Sequence, residues 1–341
     1  MLKSIKIVLI LIFLLAFSFN QILFAEDNLQ DIQLIEVVHS IFYAPQYVAI
    51  NEKFFENEGL NVNLTTAWGG DKAAASLLAG SGDIALIGPE PTIYIYNQGS
   101  ENYIINFAQL TNTAGSFLVA RKPMPEFTWE DVIGKEIIGN RPGGAPQMVL
   151  EYSLKERGII PGEDVDVITN LDFTANAGAF VGGMGDFVQL FEPAASKLEA
   201  EGEGYVVGSF GEAGGNIPYT VYMAKVNYIE ENPEVVQKFT NAIYKAQLWM
   251  KNHTVEQIAE SIHKDFSDTD MELLKKVIKR YKDQGTWDKN PIIEKEIFEH
   301  YEDIIIMAGE LEEKIDFDVV VNTDFAENAV ETINNNNESD E

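Results

Sequence analysis

The sequence predicts an α/β protein of two lobes completed by a helical C-terminal region, and three observations carry that prediction. Short apolar runs alternate with amphipathic stretches from about residue 32, the spacing of βαβ units in a mostly parallel sheet. The alternation breaks at "RKPMPEFTWEDVIG" (121–134), rich in Pro and charge, and then restarts. From about Asn232 the strand signal disappears and apolar residues recur at three- and four-residue spacing, as on a helix with one buried face. With 341 residues, 46% of them hydrophobic, the chain can bury the cores of about two domains.

Taken in order, the first 25 residues read as a secretory signal. "MLKSIK" is a basic start, "IVLILIFLLAFSF" (7–19) an apolar core, and Ala25 a small residue before the acidic "ED". That core is short for a membrane span, so cleavage after Ala25 is expected, with a retained anchor as the other outcome. "IQLIEVV" (32–38) is then a buried strand, "APQYVAINEKFFENEG" (44–59) an amphipathic helix closed by Gly59, and "LNVNLTTA" (60–67) an alternating strand. "GGDKAAASLLAGSG" (69–82) is a helix, "DIALIG" the next strand, and "YIINFAQL" (103–110) and "SFLVA" (116–120) continue the series.

The second set has strands at "KEIIGN" (135–140), "DVDVITN" (164–170), "FVQLFEP" (187–193) and "YVVGSF" (205–210), with a helix at "APQMVLEYSLKERG" (145–158). "NPEVVQKFTNAIYKAQLWMKNH" opens the helical region with Pro233 at a helix start. "NNNNESDE" (334–341) has the composition of a disordered acidic tail.

Composition removes several function classes. There are no cysteines, hence no disulfide, thiolate metal site, Cys nucleophile or lipidated Cys after the signal. The 24 basic and 54 acidic residues give a formal charge of −30, which repels nucleic acid and anionic lipid. The four histidines (His39, His253, His263, His300) are scattered, without metal-ligand spacing. "RPGGAPQ" lacks the Lys-Ser/Thr of a phosphate-binding loop, and "GAFVGGMG" lacks the context of a dinucleotide site. No catalytic residue, metal or cofactor is expected.

Ligands of open α/β sheets sit beyond the C-terminal ends of strands, so the loops after strands hold the candidate site. They are "HSIFYAPQ" (39–46), "AWGGDKAA" (67–74), "GPEPTIY" (88–94), "NRPGGAPQ" (140–147), "DFTANAGAFVGG" (172–183) and "FEPAAS" (191–196). The candidates are Phe42, Tyr43, Gln46, Trp68, Gly69, Gly70, Gly88, Glu90, Thr92, Tyr94, Arg141, Gly143, Gly144, Thr174, Asn176 and Glu192. Aromatic rings supply stacking faces, and helix N-termini supply unpaired N–H groups. Each has a plainer role beside it. Trp68 and Tyr94 could be core aromatics, Asp71 is best read as a helix cap, and Arg141 could be a surface ion pair. Glu90 and Glu192 could receive a donor-bearing ligand or pair across a hinge.

"FYAPQYVAINEKFFENEGLNV", "WGGDKAAASLLAGSGDIALIGPE" and "NRPGGAPQMVLEYSLKERGI" resemble the solute-binding proteins of ABC importers, in the nitrate, sulfonate and taurine group that includes binders of thiamine pyrimidine precursors. The resemblance runs over about residues 33–265. It implies a type II periplasmic-binding fold whose lobes close on a ligand, with crossings near 120–122 and 218–222. The first lobe would then span 30–120 and 220–330, and the second 121–219. It matches Tyr43, Ala44 and Gln46 to the first cleft loop, Trp68, Gly69 and Gly70 to the second, Gly88 to Glu90 to the third, and Arg141, Gly143 and Gly144 to the second-lobe loop. It implies a periplasmic monomer that delivers a small molecule to a membrane permease. Two ligand classes stay open: a flat heterocycle such as a pyrimidine, and a sulfonate- or nitrate-type anion. A receptor domain feeding a sensor protein is an alternative. A pyrimidine-forming enzyme of the same group depends on a cysteine-rich motif that this chain lacks.

Overall fold

The computed structural model describes residues 29–287 and 290–339; the signal reading over 1–25 lies outside them. Among the described residues, ten strands form two five-stranded sheets. The first contains β1 (Gln30–Glu36), β2 (Leu60–Thr66), β3 (Ile84–Ile87), β4 (Ile104–Thr111) and β10 (Thr220–Lys225), in the order β2-β1-β3-β10-β4. The second contains β5 (Ser116–Ala120), β6 (Glu136–Ile138), β7 (Asp166–Ile168), β8 (Phe187–Phe191) and β9 (Tyr205–Ser209), in the order β7-β6-β8-β5-β9.

The two sheets repeat one plan. Their first three positions pair in parallel, and the fourth strand, β10 or β5, runs antiparallel to both neighbours. That inserted strand is the first one after the chain has crossed from the other lobe. The crossings therefore run over residues 112–115 and 215–219. The expected first crossing at 120–122 falls one strand too late, because "SFLVA" pairs with β8 and β9 and belongs to the second lobe. Its pattern, buried at every position, fits either sheet, since a strand buried on both faces carries no record of its partners.

β3 is buried at every position, as a central strand covered on both faces must be. Helix Pro233–Asn252 lays Val236, Phe239, Ile243, Ala246 and Met250 against the first lobe, the i, i+3, i+7 stripe its sequence showed. Phe239 packs edge-on to Tyr222 of β10, ring centroids 4.9 Å apart.

The helical region does not belong to one lobe. Helices Pro233–Asn252 and Asp324–Ser339 cover the first sheet, whereas Met271–Asp283 packs on Ala194–Glu201 of the second lobe and Lys295–Ala308 on Ala145–Lys155. Tyr281 ties the junction by donating to Gly115 O at 2.8 Å. The stretch expected to be a disordered tail from 334 continues as helix to Ser339. Ile333 packs with Tyr244, whose hydroxyl donates to Asn334 Oδ1 at 2.9 Å. Among the described residues no helix is long and apolar enough to cross a membrane.

Candidate functional site

A cleft of about 690 Å³ opens between the lobes, walled by the loops that follow β1, β2, β3, β6 and β7 and by the end of β8. This is where open α/β sheets hold ligands. Eleven of the sixteen sequence candidates line it: Tyr43, Trp68, Gly69, Gly70, Gly88, Glu90, Tyr94, Arg141, Gly143, Gly144 and Thr174. Among the described residues there is no cluster of three or more His, Cys, Asp or Glu that could hold a metal ion.

Trp68 stands at the rim, 52% exposed and in the left-handed backbone region at φ 59°. The ladder explains the conformation. Ala67 N–H bonds Glu36 O at 2.8 Å and Gly69 N–H bonds Val37 O at 3.1 Å, so the chain stays tied to β1 on both sides and Trp68 is flipped out between. A bulky residue at positive φ is strained, and such strain gathers at ligand clamps. Asp71 makes no cap; Gly69 caps helix Gly70–Leu78 and Asp71 faces Arg141 at 3.6 Å.

Glu90 is the inner pole. It opens helix Glu90–Asn97 and is 7% exposed. Oε2 accepts from Tyr301 Oη at 2.8 Å, and Oε1 accepts from Ala145 N–H at 3.3 Å. That N–H is the first of helix Ala145–Lys155 in the opposite lobe. Gly88 is required by this arrangement, because a Cβ there would run into the Glu90 carboxylate. Burial pushes the Glu90 carboxyl above the ordinary carboxylate range; its own N–H, Tyr301 and Ala145 oppose that only in part, and no cation contributes.

Tyr94 donates from the same helix to Gly143 O at 3.3 Å, a second bond between lobes. Burial and the charges of Glu90 and Glu310 raise its phenol well above its usual range. Arg141 is shared at the mouth between Asp71 of the first lobe and Asp172 of the second. These three side chains are all more than half exposed, so the pairs hold the mouth with little energy.

Five candidates lie outside the cleft. Phe42 sits one layer behind it, packed on Phe191, Tyr219 and Tyr281. Gln46 is fully buried, donating to Glu36 at 3.0 Å and accepting from Tyr222 Oη at 3.2 Å. Thr92 closes its own helix turn on Pro89 O at 2.7 Å, and Asn176 bonds Gly139 O at 2.9 Å. Glu192 accepts from Ser196 N–H at 2.9 Å and Ser196 Oγ at 2.8 Å and pairs with Arg280; it clamps the second lobe to helix Met271–Asp283. The four polar side chains among them have the polarity of ligand groups, and backbone or core partners use it.

Val37, Val38, Ile95, Asn140, Phe173, Phe191 and Tyr219 line the cleft without having been singled out. Phe191 and Tyr219 form an aromatic wall, centroids 6.4 Å apart, which Phe173 extends at 5.7 Å from Phe191. Tyr219 could have been found from its place on the crossing, since a strand leaving one lobe for the other passes the cleft floor. Its hydroxyl is buried without a hydrogen-bond partner.

Residues 35–263 match the model of the NMT1-like family. The chain belongs to that family. YtlA of Bacillus subtilis, provisionally named a binding protein, is 46% identical over 302 residues, spanning 89% of this chain and 90% of YtlA. Among solved structures, the periplasmic aliphatic sulphonate-binding protein SsuA of Escherichia coli aligns with a TM-score of 0.66 at 17% identity, covering 85% of this chain and 97% of SsuA. The periplasmic nitrate-binding protein NrtA of Synechocystis aligns at 0.69 and 17%, covering 89% of each. At these identities the structural matches establish the fold, the two-lobed one that the motifs of the family imply.

Proposed function

We propose that the protein is an exported solute-binding protein that captures a small organic molecule between its lobes and delivers it to an ABC importer. The observation that carries this reading is the cleft itself: two lobes of identical plan meet on one cavity of ligand size, walled by strand-end loops of both. The family assignment and the names of YtlA, SsuA and NrtA support it, as does the N-terminal sequence, which reads as an export signal without a lipid-accepting Cys. The protein acts by binding and release, not by catalysis.

Of the two ligand classes the sequence leaves open, a flat organic ring fits the walls better than a sulfonate- or nitrate-type anion. Trp68, Tyr43, Tyr94, Phe173, Phe191 and Tyr219 offer ring faces. Arg141 is already engaged by two aspartates. Native mass spectrometry of protein purified without denaturation should find one solute per chain. Titrated back into stripped protein, that solute should bind saturably and at least tenfold more weakly to Trp68→Ala. Saturable binding untouched by Trp68→Ala and by Tyr94→Phe would place the ligand elsewhere and overturn the reading.

A further inference from the structure

The N-terminus of a helix attracts anions, because its first N–H groups are unpaired and its dipole is positive. Helix Ala145–Lys155 presents that end to the cleft through Gly143, Gly144 and Ala145. In this chain the position is taken by a carboxylate of the opposite lobe, since Glu90 Oε1 accepts from Ala145 N–H. The charge that Glu90 brings is not cancelled. Its second oxygen meets the neutral hydroxyl of Tyr301, Arg141 is tied to Asp71 and Asp172, and Lys72 stands exposed at the mouth.

A second, independent feature lies on the same cleft. Tyr219 is 3% exposed and lines the cavity, yet its hydroxyl has no partner. A buried hydroxyl left unpaired costs free energy, and a bound ligand is the natural partner for one at a cleft wall.

We infer that Glu90 fills the helix N-terminus with the protein's own anion, so that the cleft excludes oxyanions and selects a ring bearing hydrogen-bond donors such as an amine or amide. This rests on the reading of the cleft as a solute trap and narrows its ligand class. The donor satisfies the Glu90 carboxylate, whose burial without a cation is otherwise costly. The Tyr219 hydroxyl takes a further polar group of the ring. An oxyanion would meet a like charge at the one place the helix could have held it.

Calorimetric titration of methanesulfonate and of 4-aminopyridine into the wild type, Glu90→Ala and Glu90→Gln tests this. The wild type should prefer 4-aminopyridine, and both variants should bind methanesulfonate at least tenfold more tightly than the wild type does. Glu90→Gln keeps the side-chain shape, so a fold lost in Glu90→Ala leaves the comparison intact. Wild-type binding of methanesulfonate as tight as that of the variants, or no gain in a folded variant, overturns the inference. A sulfonate found in the purified protein would also overturn it while sustaining solute capture, so the two readings fail separately.

Discussion

Glu90 and Glu192 are near-equivalent in the two lobes and have opposite fates. Both follow the third strand of their sheet, β3 or β8, and both stand beside proline before a helix, in "GPEP" and "FEP". Both are buried. Glu192 is held by Arg280 and by two bonds from Ser196, so its charge is matched inside the protein. Glu90 has an N–H and a phenol, and no cation. A buried charge must be paired or it destabilises the fold. The lobe that pairs its glutamate has made a clamp, and the lobe that does not has left a demand that a ligand can meet.

Removing the cation should break the matched site and produce the largest effect. Arg280→Met leaves Glu192 buried and unpaired, so urea denaturation should show a loss of about 3 kcal/mol, and adding Glu192→Gln should recover most of it. Glu90→Gln should sharpen the contrast. It orphans no charged partner, and Tyr301 can exchange donor for acceptor, so stability should hold within about 1 kcal/mol. An equal loss at both glutamates would erase the distinction.

That distinction was not legible in the sequence, although much else was. The order of strands and helices could be read because apolar periods of two and of 3.6 report local burial. The strand-end loops could be named as the site because topology places ligands there. The neutraliser of Glu192 lies 88 residues downstream on a helix, and no local pattern announces it. Phe42 and Gln46 stand beside Tyr43 in one loop, and only packing shows that Phe42 faces Tyr219 and Tyr281 while Gln46 faces Glu36. Trp68 carried a readable signal in its two following glycines, and the positive φ gives the physical reason for its exposure.

At Trp68 the expected effects split. Trp68→Ala should weaken binding of the co-purified solute at least tenfold, through loss of ring stacking and buried face. The free protein should stay within about 0.5 kcal/mol of wild type, since the side chain is half exposed and alanine, which keeps the Cβ, meets the same positive φ. A stability loss of core size, about 3 kcal/mol or more, would mean that the ring packs inside the free protein.

pH separates the two carboxylate environments with opposite signs. The Glu90 carboxyl is raised in the fold, so protonation favours the native state as pH falls through its raised value towards the ordinary carboxylate range. A cationic ring needs that carboxylate charged, so its affinity should fall over the same window and stay flat in Glu90→Gln. Glu199, beside Glu192, is held low despite its own burial by Arg280 and Lys276. The stability it contributes is present above the ordinary range and is lost as pH falls through its lowered value. Calorimetric affinity from neutral pH down through the ordinary carboxylate range checks the first, and thermal melts carried below that range check the second.

The smallest effect belongs to the mouth. Arg141→Ala removes two exposed ion pairs, worth less than about 1 kcal/mol together, and should speed solute release in stopped-flow fluorescence while leaving the melting temperature nearly unchanged.

Whether Glu90 is the charge the ligand answers can be seen in a crystal structure of the protein with its co-purified solute. A nitrogen donor of the solute should lie within hydrogen-bond distance of Glu90, with its ring against Trp68 or the Phe191 and Tyr219 wall. An oxyanion seated on Ala145 N–H, with the Glu90 side chain turned away, would contradict it.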